Sequence, residues 1–282
     1  MIDSGAVLAW GAHDLRDLPW RRERDPWRIL VAEVMLQQTQ ANRVIPKWTA
    51  FLDAFPTPAA CAEASLADVL RLWQGLGYPR RARNLHAAAA TVVDRHAGRL
   101  PDDLHALSAL AGIGPYTARA VLAFAFERDV AVVDTNIARI LARTTGERLS
   151  AKRAQAVADE LVPTGAGWLW NQVFMDLGAG VCRPAPTCEV CPLTSMCAWF
   201  VGGLRDPDPA VGSAGVSTRQ APFEGSDRQA RGRVLKALGA GAQPRGSFDA
   251  RIVDSLVADG LVEVDADTVM LPDVTNGGRH QQ

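Results

Sequence analysis

Two carboxylates stand where chemistry needs them. Glu33 lies alone in the apolar run Ile29-Leu30-Val31-Ala32-Glu33-Val34-Met35-Leu36. Burial raises the pKa of a carboxyl because the charged form loses its water, which suits such a group to donate a proton near neutrality. A core glutamate paired with Arg21 or Arg28 fits the same position. Asp134 follows the apolar pair Val132-Val133 in the polar break Asp134-Thr135-Asn136. An aspartate there also caps a helix opening at Ile137. Taken together, two carboxyls in different protonation states are what cleavage of a glycosidic bond requires. One protonates the leaving group, and the other stabilises an oxocarbenium-like sugar.

Four of the five cysteines fall within sixteen residues as Cys182-x5-Cys188-x2-Cys191-x5-Cys197, while Cys61 stands apart. In a reducing compartment such a cluster holds a metal or an iron–sulfur group rather than a disulfide framework. Structural zinc commonly uses two Cys-x2-Cys arms, and one x2 pair flanked by two longer loops suits a cube-shaped [4Fe–4S] cluster better. Four thiolates leave no open coordination position, so the group is structural.

Between the carboxylates lies Leu110-Ala111-Gly112-Ile113-Gly114-Pro115-Tyr116-Thr117. Two glycines around one aliphatic residue allow a sharp turn and leave amide N–H groups facing outward at the next helix. That makes either a phosphate-sized anion site or an ordinary helical corner. The amides of Gln37 and Gln38 suit base edges or an exposed helix end. Tyr78, in the turn Gly75-Leu76-Gly77-Tyr78-Pro79, suits stacking or wedging between bases, or plain packing.

These groups need a scaffold, and the chain supplies a helical one. With 282 residues, 48% of them apolar, it has a large core and room for more than one domain. The formal charge of −1 means that any nucleic-acid binding uses local patches. No apolar run is long enough to span a membrane, and the N-terminus lacks a signal-peptide pattern. A cytoplasmic protein is expected. Helical spacing covers Trp27 to Leu36, Asn42 to Phe55, Leu66 to Trp73, Arg80 to His96, Ala118 to Phe126, Ile137 to Arg143, Ala151 to Val162 and Trp168 to Leu177, with Pro56 and Pro58 read as a break. Arg80, Arg81 and Arg83 crowd one helix N-terminus, against the helix dipole, and are read as facing phosphates or as a solvated face. Residues 201–222 read as a linker. Residues 223–273 then give two helices (Arg228 to Leu238, Phe248 to Ala258) and a strand pair (Leu261 to Val264, Thr268 to Leu271), a small α+β, winged-helix-like module. Its segment 217–251 carries seven Arg or Lys against three acids, net +4, while 252–273 carries six acids and no base. The basic half fits a nucleic-acid backbone or a solvated face. Residues 274–282 read as a disordered tail.

The motifs together resemble the MutY family of adenine DNA glycosylases, within the endonuclease III (helix–hairpin–helix) superfamily. The resembling residues are Leu18-Pro19-Trp20-Arg21, Glu33 through Gln40, Gly75 through Tyr78, Arg81 through His86, and Leu110 through Thr117. Val133 through Asn136, Asn171-Gln172, Met175 through Ala179 and the cysteine loop complete the set, in family order over residues 15–197. The resemblance implies a mainly α, two-lobed helix–hairpin–helix glycosylase fold. One lobe (23–125) is a six-helix barrel with the hairpin; the other (1–22 with 126–200) carries a [4Fe–4S] loop on Cys182, Cys188, Cys191 and Cys197. It implies base excision repair in which adenine opposite 8-oxoguanine or guanine is flipped from double-stranded DNA and released. Glu33 matches the acid that protonates adenine, and Asp134 the carboxylate that stabilises the sugar cation. Gln37, Gln38 and Tyr78 match residues at the duplex wedge, and the amides of Gly112 and Gly114 hold a backbone phosphate. Leu18, Trp20, Arg21 and Asp176 match positions around the extruded base, and Asn136 a polar helper. Position 116 carries a lysine in the bifunctional relatives, whose amine forms a Schiff base; Tyr116 therefore implies base removal without strong lyase activity. A monomeric, nucleoid-associated protein of bacterial type follows.

The first cysteine gap is five residues where the family usually has six. Thr135 and Pro79 stand where many relatives have Gly and Tyr, and the C-terminal region is shorter than a NUDIX-like domain. Two alternatives stand beside this reading: a thymine or uracil mismatch glycosylase of the same fold, and a non-catalytic cluster-containing DNA-binding protein. Gln37-Gln38-Thr39 and the Arg21 segment favour adenine.

Overall fold

The computed structural model describes residues 2–214, 216 and 222–273. The chain runs through α1 (Ser4–Asp14), a short turn of helix at Pro19–Arg22, α2 (Pro26–Leu36), α3 (Ala41–Ala54) and α4 (Pro58–Glu63). Next come α5 (Leu66–Trp73), α6 (Arg80–His96), α7 (Leu104–Ser108), α8 (Pro115–Phe124), α9 (Thr135–Thr145), α10 (Ala151–Leu161), α11 (Gly167–Gly180) and α12 (Ala198–Val201). The last stretch is α13 (Asp227–Gly239), β1 (Gln243–Pro244), α14 (Ala250–Ala258), β2 (Glu263–Asp265) and β3 (Thr268–Met270). The mainly α expectation holds, and no helix among the described residues is long and apolar enough to cross a membrane.

Two compact units divide the chain: Met1–Asp17 with Ala118–Arg219, and Leu18–Thr117 with Gln220–Gln282. In the first, α9 and α11 pack through Ile140, Leu141, Phe174 and Leu177, with Val7 of α1 in the same core. In the second, Leu30, Met35, Phe51, Trp73 and Leu85 are fully buried, and Phe51 meets Trp73 edge-on at 6.1 Å.

Local chemistry sets the helix starts. Asp25 accepts from the Arg28 amide with Pro26 in the first turn, and Ser65 and Asp103 cap α5 and α7 in the same way. The break expected at Pro58 is instead the first residue of α4, capped by Thr57. Proline has no amide hydrogen to lose there. Leu18–Arg22 belongs with the second unit because Trp20 packs edge-on against Trp48 at 6.0 Å.

The C-terminal module has the two expected helices and a three-stranded antiparallel sheet in the order β1-β3-β2. Strand β1 is only two residues, too short to show any period. Three arginines of the module's basic half are ion-paired within the module. Arg251 pairs with Asp227 at 2.7 Å, Arg245 with Asp254 at 2.9 Å, and Arg231 with Asp259. Pro272 accepts from the Ala67 amide at 3.0 Å, so the end of the module caps the first turn of α5. Part of the expected linker is also anchored: Ala214 donates to Leu149 at 2.9 Å, Ser213 accepts from the Leu149 amide at 3.0 Å, and Asp208 pairs with Arg143 at 2.6 Å. The tail at 274–282 lies outside the described residues.

The glycine corner between α7 and α8 has a steric requirement at one glycine only. Gly112 has φ +74°, and a Cβ there would sit 2.7 Å from the Asn84 Cβ; around Gly114 nothing lies within 4 Å of such an atom. Gly112→Ala is therefore expected to cost about 1–3 kcal/mol of stability and to lower the thermal midpoint, while Gly114→Ala leaves it unchanged. Equal thermal midpoints for wild type and Gly112→Ala would contradict this account of the corner.

Candidate functional site

In the second unit, Glu33 is buried at 6% exposure, three residues before the end of α2. Of its two suggested arginine partners, Arg28 pairs with Glu23 at 3.1 Å. Trp20 and Arg21 are buried in the short turn before α2, and Leu18 is half-buried.

The end of α2 is held by Arg81, a role that its place in the arginine run did not reveal. Arg81 is half-buried, and one guanidinium nitrogen donates to the carbonyls of Val34, Met35 and Gln37 at 2.8, 3.0 and 2.6 Å. The Val34 and Met35 carbonyls lie in the last turn of α2, where the helix itself offers no donor. The other nitrogen donates to Thr39 Oγ1 and to the Leu76 and Gly77 carbonyls at 3.2, 3.2 and 3.0 Å. The guanidinium also sits 5.5 Å from the Trp73 ring centre and 5.4 Å from that of Tyr78. Burial pulls its pKa down to about 10, against the opposing influence of Tyr78. The cation persists at neutral pH.

Two of the bonded carbonyls immediately precede residues in unusual backbone conformations. Gln38 has φ +54° and Tyr78 has φ +49°, a left-handed region that side chains rarely adopt. These are the two wedge candidates, and one guanidinium fixes the turn before each. Of the three α6 arginines, only Arg80 keeps a largely exposed side chain. Arg81 is turned inward, Arg80 lies 3.7 Å from Asp259, and Arg83 donates to the Asp259 carbonyl. Gln37 is likewise engaged, donating to Thr117 Oγ1 at 3.2 Å, whereas Gln38 is exposed. At the corner, Ile113 is buried, Gly112 and Gly114 are exposed, and Tyr116 is half-buried.

In the first unit, Asp134 is both cap and candidate catalyst. One carboxylate oxygen accepts from the Ile137 amide at 2.7 Å, and the other from Asn136 Nδ2 at 2.9 Å. Asn136 Oδ1 in turn accepts from Arg139 at 2.8 Å. Desolvation pushes the Asp134 carboxyl above its ordinary range, opposed by these hydrogen bonds and by Arg139. Asp176 is buried and bound to Arg16, accepting from its backbone amide at 2.8 Å and pairing with its guanidinium at 2.6 Å.

Arg139 also donates to the Gly178 and Cys182 carbonyls at 2.7 and 2.6 Å. One turn later, Arg143 donates to Cys182 Sγ at 3.3 Å and to the Arg183 and Pro184 carbonyls at 2.7 and 3.0 Å. Helix α9 thus joins the Asp134 turn to the cysteine loop. Cys182, Cys188, Cys191 and Cys197 line one cavity with Ile140, Leu193 and Trp199, and none is in a disulfide. Among the described residues no three His, Cys, Asp or Glu side chains close on a single-ion site. Cys61 is buried elsewhere, its thiol pushed up to about 12 by desolvation.

Residues 31–164 match the family described as HhH-GPD superfamily base excision DNA repair protein. An adenine DNA glycosylase of Mycolicibacterium smegmatis is 41% identical over 279 residues, covering 93% of this chain and 92% of that one. The chain belongs to the adenine DNA glycosylases. The human adenine DNA glycosylase is 39% identical over 209 residues, covering 68% of this chain and 38% of its own length. A solved thermostable thymine-DNA glycosylase superposes with a TM-score of 0.68 at 30% identity, covering 70% of this chain and 94% of that one. A match over 93% of the chain takes in most of the C-terminal module, so the mycobacterial glycosylase shares it.

Glu33, the wedge candidates, the glycine corner and Tyr116 are carried by the second unit; Asp134, Asn136, Asp176 and the cysteines by the first. Within the second unit, Arg81→Met would remove six hydrogen bonds, although the Gln37, Leu76 and Gly77 carbonyls keep a second donor in Thr39 or Trp73. It is expected to lower stability by about 3 kcal/mol, with the thermal midpoint falling by roughly 5–10 °C. Arg81→Lys, which lacks the planar fork, is expected to recover little of this. Midpoints within one degree of wild type for both variants would contradict the stapling role.

Proposed function

We propose that this chain excises adenine paired with 8-oxoguanine or guanine in duplex DNA by hydrolysing the N-glycosidic bond. The observation that carries the reading is 41% identity with an adenine DNA glycosylase over nearly the whole of both chains. The surroundings of each carboxylate, taken by itself, agree with it. Glu33, in an apolar helix, protonates the departing base, and the bond electrons leave with adenine. Asp134, ionised, stands against the positive charge left on the sugar. Water adds to the sugar carbon, and the proton it releases replaces the one Glu33 donated. Asn136 and the Ile137 amide fix both Asp134 oxygens before the reaction begins, so no reorganisation is needed as charge develops.

Gly114 has an ordinary backbone and open space around it, so a glycine there serves the approach of something outside the chain. A DNA phosphate meeting the exposed Gly112 and Gly114 amides fits that role. Tyr116 offers no amine for a Schiff base, which confines the reaction to base removal. The cysteine cavity fits a [4Fe–4S] cluster on Cys182, Cys188, Cys191 and Cys197, four sulfur ligands lining one cavity and backed by an arginine. Such a cluster would cross-link the loop. The 30% identity to a thymine-DNA glycosylase favours a second reading, thymine release from mismatches with guanine.

Under single-turnover conditions Glu33→Gln is expected to lose about 10²–10⁴-fold in adenine release from an A:8-oxoG duplex while still binding it. Borohydride should trap no enzyme–DNA adduct. The wild-type rate should fall with decreasing pH as Asp134 protonates, at a pH above the ordinary aspartate range. Asn136→Ala removes a bond that favours the charged form, so this acidic limb should move to higher pH. Full activity of Glu33→Gln, or efficient trapping of wild type, would contradict the proposal.

A further inference from the structure

We propose that the C-terminal module takes part in mispair recognition through Arg228, a positioning residue for the Tyr78 side chain. The inference rests on the DNA-glycosylase reading and concerns a module outside the matched family region at 31–164. Arg228 Nη1 donates to the Tyr78 hydroxyl at 3.0 Å, across 150 residues of sequence. Arg228 is the second residue of α13, where the helix dipole disfavours a cation, so helix stability does not account for it. Tyr78 is therefore held at its ring face by Arg81 and at its tip by Arg228. Both contacts hold a side chain whose backbone, at φ +49°, is costly for a residue of this size.

The same arginine lies 5.9 Å from the ring centre of Phe223, which is 57% exposed. Tyrosine, guanidinium and exposed phenyl thus stand in series beside a glycine-flanked turn. This arrangement suits a duplex opened at a mispair, with unstacked bases against aromatic faces and the cation near the backbone. The module is fastened so that the arrangement survives. Asp259 gathers Arg80 and Arg231, its carbonyl accepts from Arg83, and Pro272 caps α5.

A double-mutant cycle tests the link, with Arg228→Ala, Tyr78→Phe, their combination, and Arg228→Lys. Two readouts are taken on A:8-oxoG and A:G duplexes. One is the single-turnover release of adenine. The other is the fluorescence of 2-aminopurine placed beside the mispair, which reports unstacking without base removal. Each single variant is expected to lose about fivefold in both, as for one hydrogen bond. The double variant should be no worse than either single one, and lysine should recover part of the loss. Tyr78→Phe removes only a hydroxyl, so it carries the test if Arg228→Ala fails to fold. Wild-type behaviour of both single variants, or losses that multiply in the double one, would overturn the inference alone. Absence of adenine release by wild type would overturn the glycosylase reading together with it.

Discussion

A half-buried guanidinium that answers main-chain carbonyls is the interaction on which the end of α2 and the turn before Tyr78 depend. Arg81 closes the end of α2, three residues past Glu33, and the turn ahead of Tyr78. A charge taken out of water is costly unless its donors are satisfied. Here the two ends of the guanidinium reach carbonyls in two segments far apart in sequence, and the rings of Trp73 and Tyr78 flank it. That one contact sets the geometry of the acid's helix and of both left-handed residues at once. Local strain at Gln38 and Tyr78 persists because the surroundings over-determine it.

The first unit repeats the device with a different purpose. Arg139 reaches Asn136, and through it Asp134, while also binding the Cys182 carbonyl; Arg143, one turn on, serves the rest of the cysteine loop. Desolvation and hydrogen bonding pull the Asp134 carboxyl in opposite directions, and desolvation wins. A carboxylate raised in energy but fixed in place gains more when a cation appears opposite it than one already well solvated. The bonds by which Asp134 caps α9 are thus the same bonds that would hold it in place for the proposed catalytic role.

Much of this was legible in the residues. The bounds of α5 and α6 coincide with the apolar spacing, because glycine and proline punctuate both. Glu33, Asp134 and the four cysteines announce themselves by type and neighbours. What escaped depends on tertiary placement. Arg80, Arg81 and Arg83 look alike in sequence, and only packing turns Arg81 inward while its neighbours meet Asp259. The charges of the C-terminal module suggested a nucleic-acid face, and the ion pairs of Arg231, Arg245 and Arg251 within it depend on how its segments pack. Strand β1, at two residues, had no pattern to read. Asp176 gave no sign of its pairing with Arg16, 160 residues away.

Membership of the adenine DNA glycosylases and likeness to a thymine-DNA glycosylase leave the base as the point on which the account turns. The most direct measurement is a single-turnover competition in which the protein, in excess, meets A:8-oxoG and T:G duplexes of the same sequence context. Faster release of adenine is the predicted result, with the T:G duplex left largely intact. Preferential release of thymine would contradict the assignment of Glu33 and Asp134 to adenine excision.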